Sequence, residues 1–381
     1  MSVPGRIAHL SVLVAVAMSL LISAPASPPP AHASRPSRIL PASGHELYLP
    51  IVARPREPIG FVTTPAELAA TKALADQGFV PSRSAVITLM RTANEGLAFT
   101  PCAVAYYTTD TGSDCLNQSA QYAFVLALAY RMTYDSRYDA QAAAIIRAWY
   151  TALAAIDPDS QTRLDWSRWT PSLTWAADLL DGTPAWTDDD RQQFTAMLVN
   201  KLLALGKDAA ARTNNWADAG NLLWLTIAIY AKLPDERAAA IANWKLKLDG
   251  VPQPNGTWAY GMAPDGSLSE ENRRDVSGLA YNQGALSYKT VFAEIMRRQG
   301  DSSLYIYTTP RGVGLKNGWD FLAQQVVDAH AGVCAWPYTP DHCVNYSNKT
   351  GWEIAYARWH ALAYLGPILL ERPYQWSDAS D

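Results

Sequence analysis

Two places in this chain carry residue types that together could take a proton from carbon. Asn214-Asn215-Trp216 supplies amides at the start of one apolar stretch, and Arg274 with Leu279-Ala280-Tyr281 supplies a guanidinium and a phenol at the start of another. A C–H bond beside a carboxylate is weakly acidic while that carboxylate keeps its full negative charge. Donors aimed at the carboxylate oxygens, gaining strength as charge moves onto them, lower the barrier in the manner of an oxyanion hole. Asn215 and Arg274 are the candidate donors, with Asn214 as a second amide. A free phenol titrates near pH ~10, so a neighbouring cation must favour its ionised form before it can serve as a base. Arg274 could supply that cation for Tyr281. The two are seven positions apart, which along one continuous helix is nearly two turns and about 10 Å. If the helix begins only near Asp275, Arg274 sits in the preceding turn and can fold back.

The elements that must hold these groups read as helices. Thr64-Pro65-Ala66-Glu67 combines an N-cap, a proline at the first helical position and a capping-box glutamate, so the folded domain is expected to start at Thr64. Amphipathic or nearly all-apolar stretches follow at 120–132, 140–155, 166–180, 188–205, 220–232, 238–248, 277–298, 318–329 and 352–370. Asp135, Asp235 and Asp301 each follow a tight turn, where an aspartate can cap the next helix. Strand-like alternation is scarce. The expectation is an all-α fold of antiparallel helical hairpins in series, either a bundle or a closed ring.

Several segments from about Ser119 onward resemble the alginate lyase family of polysaccharide lyases. They are Ser119-Ala120-Gln121-Tyr122-Ala123 with Leu126 to Arg131 and Asp135 to Tyr138; Trp186 to Arg191; Asn214-Asn215-Trp216; Pro264 to Leu268 with Glu270 and Glu271; Arg274 with Leu279-Ala280-Tyr281; and Gly351 to Arg358. The acids in Trp186 to Arg191 read as N-terminal capping charges rather than a metal site. The resemblance implies a helical-hairpin toroid, an incomplete α/α barrel, following a short N-terminal extended linker. It also implies β-elimination on a 4-linked polyuronate, with Tyr281 matching the family's catalytic tyrosine. In one respect the chain departs from the pattern: those lyases carry a histidine directly after the paired asparagines, and here Trp216 stands there. Either Tyr281 acts as both base and acid, which suits abstraction and departure on one face of the sugar, or a histidine from the C-terminal part takes one role. His342 is the first alternative, ahead of His330 and His360. Alginate is the first substrate expected, with glucuronan or another glucuronate polymer close behind.

Tryptophans could offer flat faces to sugar rings. Trp149, Trp175, Trp224 and Trp244 fall on helical faces with aliphatic neighbours and read as core, whereas Trp216, Trp258 and Trp352 lie near turns or polar motifs and are the cleft candidates. Arg358, inside a matching motif, is the leading basic residue for an anionic polymer; Lys201, Lys207, Arg212 and Arg273 could extend the lining.

The rest of the sequence bounds the class. Residues 1–33 read as a secretory signal, with Arg6 and His9 before the apolar run Leu10 to Ile22 and small residues at Ala31-His32-Ala33. Residues 34–63, rich in Pro, Arg and Ser, read as a linker, and 64–381 as the lyase domain. A secreted protein without a membrane span is expected. Cys102 with Cys115 and Cys334 with Cys343 each bracket one loop, consistent with two short disulfides in an exported protein. No metal-ligand spacing and no phosphate-binding glycine loop occurs, so neither metal nor cofactor is called for. The formal charge of -4 argues against nucleic acid as partner. Nothing in the sequence fixes an oligomeric state. Two rival readings remain: a glycoside hydrolase using a pair from Asp218, Asp265, Glu270, Glu271 and Asp275, and a non-catalytic surface protein that grips acidic glycans.

Overall fold

Residues 57–274, 278–330 and 350–364 are described by a computed structural model. Helix α1 (Pro65–Asp76) begins at the expected capping box: Thr64 accepts from the Glu67 N–H at 3.2 Å, and the Glu67 carboxylate accepts from the Thr64 N–H at 2.8 Å. There follow α2 (Val80–Leu97), α3 (Thr109–Thr133), α4 (Ser136–Ala152) and α5 (Ser160–Leu180). Next come α6 (Asp188–Met197) and α7 (Leu203–Ala210), fused by a π-helical turn at Leu198–Leu202. Then α8 (Asn215–Tyr230), α9 (Pro234–Asp249), the single turn α10 (Ser269–Asn272) and α11 (Gly278–Arg298) lead to α12 (Leu315–His330) and α13 (Thr350–Trp359). Among the described residues, strand structure amounts to one parallel two-residue pair, Tyr106–Tyr107 with Ala155–Ile156, and two isolated bridges.

Why these helices pile up as they do follows from their faces. Helices α3, α5, α8 and α11 are buried over most of their surface, polar side chains included, so each must be covered on several sides. They pack in succession, α3 on α5, α5 on α8 and α8 on α11, while α4, α7 and α9 cover them from outside. The result is the all-α helical-hairpin toroid. Its core is aromatic as well as aliphatic. Trp149, Trp166 and Tyr107 meet edge to face near one end, and Trp319, Trp352 and Tyr364 do so near the other.

The packed chain reaches back beyond Thr64 into the segment expected as linker. Phe61 and Val62 are buried, and the backbone N–H groups of Ile59 and Gly60 donate to the Asp178 carboxylate of α5, the second at 2.9 Å. Apolar side chains and a waiting buried acceptor dock these residues, where composition alone suggested a free tether. At the opposite end of α1's contacts, the Arg298 guanidinium of α11 grips the Glu67 carboxylate at 2.9 and 3.0 Å.

Of the capping aspartates, Asp135 starts α4 as expected, accepting from the Arg137 N–H at 3.0 Å. Asp301 accepts from Ser303 ahead of a 3-10 turn at Ser303–Tyr305. Asp235 does not cap: Pro234 takes the first position of α9, leaving Asp235 inside the first turn. The disulfide Cys102–Cys115 is formed. Cys334 and Cys343 lie outside the described residues, as do the signal segment and most of the linker. No helix among the described residues is long and apolar enough to cross a membrane.

Candidate active site

The start of α8, the turn after α10 and the first turn of α11 come together. Asn214 is the N-cap of α8, its Oδ1 accepting from the Trp216 N–H at 3.3 Å. That use of its side chain makes it a helix-starting residue before it is a second amide for substrate. Asn215 follows as the first helical residue. It is 5 % exposed, and its Oδ1 has no hydrogen-bond partner. Its backbone N–H, one of the donors every helix start leaves open, is taken by the Glu271 carboxylate of α10.

Arg274 sits in the turn that leaves α10, its N–H bonded to the Glu271 carbonyl at 3.0 Å. Since α11 begins at Gly278, the guanidinium is free to fold back, and its carbon lies 4.9 Å from the centroid of the Tyr281 ring. This is the cation–π range. The exposed guanidinium and half-buried phenol ring therefore meet directly, across a spacing that a continuous helix would have held about 10 Å apart. Asn282, next to Tyr281 and fully buried, accepts the Leu268 N–H at 2.7 Å and donates to Asn272 Oδ1 and the Gly278 carbonyl, both at 2.9 Å. Those bonds lock α10 to the first turn of α11.

Beneath the site lies a buried charge cluster. Lys289 of α11 pairs with Asp218 of α8, and Lys247 of α9 and the glutamates of α10 surround them electrostatically. Burial pushes Glu270 and Glu271 each up to about 7; Lys289 draws both down, and Arg274 also draws Glu271 down. Burial likewise raises Asp218 despite its lysine, and lowers Lys247 with help from Lys289. The sequence reading overlooked both lysines. For Lys289 the available signal was its place in the middle of a largely apolar stretch, since a buried lysine demands a partner; Lys247, in the last turn of the charged helix α9, offered none.

Four of the five carboxyls that a hydrolase could pair are engaged within the protein. Glu271 is committed to Asn215, Asp218 to Lys289, and Glu270 to the Gly261 N–H at 2.9 Å. Asp265 holds the N–H and hydroxyl of Ser267 at 2.9 and 2.7 Å. Asp275 lies outside the described residues.

Aromatic candidates divide. Trp216 is half-buried at the site with the Arg212 guanidinium 4.3 Å from its ring, and half-buried Trp258 has Arg311 at 4.2 Å. Trp258 rides a hairpin from Val251 to Ala259 whose base closes by backbone contact between Gly250 and the Tyr260–Gly261 segment. A Cβ on Gly250, at φ 75°, would fall 1.8 Å from the Tyr260 carbonyl oxygen. Trp352 does not line a cleft: it is 1 % exposed, donating to Gln283 at 3.3 Å, because α13 packs that face onto α11. Trp149, Trp175 and Trp244 are core as expected; Trp224 is half-buried, donating to Glu236 at 2.7 Å. Arg358 is turned to Glu294 and stacked over Tyr305, not offered to a ligand. Lys201 is held by the carbonyls of Leu153 and Ala154, and Lys207 by Glu236; Arg273 is exposed, near the Ala259 carbonyl. His342 and the side chain of His330 lie outside the description, while His360 follows α13, exposed and with a left-handed backbone. Among the described residues no cluster of metal-ligating side chains forms.

Comparison with known proteins bears on the whole of this arrangement. The family model for alginate lyase matches residues 107–331, a span enclosing Asn215, Arg274 and Tyr281. The chain belongs to the alginate lyase family. It is thereby a polysaccharide lyase. Solved structures of the same fold include an alginate lyase from Bacteroides ovatus, 16% identical, covering 84% of this chain and 94% of that one with a TM-score of 0.61. Alginate lyase A1-III from Sphingomonas species A1 is also 16% identical, covering 81% and 90% with a TM-score of 0.62. A variant of alginate lyase A1-III with a tyrosine replaced by phenylalanine, complexed with a tetrasaccharide, covers 83% and 92% at 16% identity with a TM-score of 0.62. No curated protein sequence matches the chain. At such identities the structures speak for the toroid, and the family match for the reaction class.

Proposed function

We propose that this lyase cleaves a 4-linked polyuronate by β-elimination, acting on alginate or a related polymer of mannuronate or glucuronate. In this reading Asn215 and Arg274 neutralise the carboxylate of the reacting unit, and Tyr281 takes the C5 proton. The observation that carries the reading is the guanidinium of Arg274 beside the ring of Tyr281, 4.9 Å away. It sets positive charge next to the two groups that must bear negative charge during abstraction, the phenol and the substrate carboxylate. In this reading the donor of Asn215 is its amide Nδ2–H, at the start of α8 and bonded through its backbone to the α10 segment that leads to Arg274.

With an indole at Trp216 in place of the usual histidine, the proton needed by the departing O4 has its nearest source in Tyr281 itself. One phenol serving as base and then acid works on a single face of the ring. That geometry suits mannuronate and glucuronate, whose C5 hydrogen and O4 share a face, and disfavours guluronate, where they do not. The tryptophans at Trp216 and Trp258, each with an arginine over one face, are read as sugar-stacking positions. Export from the cell fits a polymer substrate and the reading of residues 1–33 as a signal.

The test is to incubate the mature chain with a panel of polyuronates and follow ultraviolet absorbance of the unsaturated ends. Mannuronate- or glucuronate-rich polymers should yield signal. Tyr281→Phe should lose about 10²- to 10⁴-fold in rate with oligosaccharide binding retained. Products without the double bond, or a fully active Tyr281→Phe, would refute the mechanism.

A further inference from the structure

Glu271 has no exposure to solvent, yet it is bonded to the backbone of two of the three residues assigned to the reaction. Its carboxylate accepts the backbone N–H of Asn215, and its carbonyl accepts the backbone N–H of Arg274 at 3.0 Å. Helix α10, which carries it, is four residues long, too short to define its own place by helical hydrogen bonds. Its position is set instead by contacts to its surroundings: Glu271 towards α8, Ser269 and Glu270 towards Gly261, and Asn282 of α11 gripping Leu268 and Asn272.

Closing one open N–H at a helix start does not require a carboxylate; a neutral oxygen suffices. Here a carboxylate is buried with its second oxygen, Oε2, lacking any partner, an arrangement that costs stability. What a shorter neutral side chain could not provide is reach from α10 to α8. We infer that Glu271 is a positioning residue for the elimination, fixing the separation between the Asn215 amide and the Arg274 guanidinium through its length rather than its charge. Sealed from water, it meets no substrate and acts through those two neighbours. This rests on the assignment of Asn215 and Arg274 as the carboxylate-neutralising pair.

The experiment compares Glu271→Gln, which keeps the reach and an acceptor, with Glu271→Asp, which keeps the charge and withdraws it by one methylene. Since misplacement by about 1 Å costs up to 10²-fold, Glu271→Asp should lose about a hundredfold in kcat with KM within about threefold. Glu271→Gln should stay within about tenfold of the parent in kcat. Asn282→Ala, which frees α10 from the other side without touching Asn215 or Arg274, should repeat the kcat-selective loss, and carries the turnover comparison if Glu271→Asp fails to fold. Independently of turnover, amide hydrogen exchange over residues 212–218 should rise in Glu271→Asp and not in Glu271→Gln. Equal kcat in the Asp and Gln variants, a loss confined to KM, or exchange that is the same in both overturns the inference. A parent chain inactive on every polyuronate would sink the proposed reaction instead, while the exchange comparison still decides the role of Glu271.

Discussion

At the scale of single residues, the proposed elimination asks two donors, Asn215 and Arg274, to gain strength as charge moves onto the substrate carboxylate. Asn215→Ala removes one and should cost about 10²- to 10³-fold in kcat with little change in KM. Arg274→Lys keeps a positive charge but loses the planar fork and its stacking on Tyr281, so a loss of about 10² is expected there too. Initial rates over a substrate series separate the terms; a rise in KM alone for both variants would mean they bind the ground state and nothing more. Asn215, Arg274 and Tyr281 were legible as candidates because amide, guanidinium and phenol sit in short local patterns, and the fold brings Arg274 onto the Tyr281 ring. It misplaced Trp352 and Arg358, which share a motif with polar neighbours but face α11 and Glu294. Glu271 was seen as a possible acid and not as a strut, since a contact across 56 positions leaves no local trace.

At the scale of elements, helix existence was plain from periodicity, and helix ends less so. Helix α5 starts at Ser160, six residues ahead of the expected Trp166, because Asp159 accepts the Gln161 N–H at 2.8 Å and caps it there. Helix α8 starts at Asn215, not Gly220, for the same kind of reason. Docking of the Ile59–Thr63 segment on α5 was invisible to composition, yet it has a measurable signature. Burial pushes Asp178 up to about 7, against an unfolded value of ~4. The folded state therefore holds that proton longer, and its contribution to stability is complete below pH ~4 and lost as pH rises through about 7. Glu270 and Glu271, also raised to about 7, act in the same direction and window. Thermal midpoints should fall from pH ~4 to ~7, with a shallower slope in Asp178→Asn. An unchanged slope would remove Asp178 from the account.

For the molecule as a whole, the toroid was legible as a series of hairpins, whereas the grip of α11 on the first helix was not. The Cys102–Cys115 bridge was legible, and it spans 13 positions to fasten the approach to α3 onto that helix. Replacing both cysteines by serine should cost about 3 kcal/mol in denaturant unfolding and leave kcat unaltered, because the bridge lies at the start of α3 and the groups proposed to react on α8, α11 and the turn after α10. The pairing of Arg298 with Glu67 reaches across 231 positions, and it carries a consequence for how the chain comes into being. A ribosome or an export channel delivers α1 long before α11. Until α11 emerges, the first helix has no guanidinium to receive the Glu67 carboxylate, so this grip must form late, by the return of a later part upon the oldest.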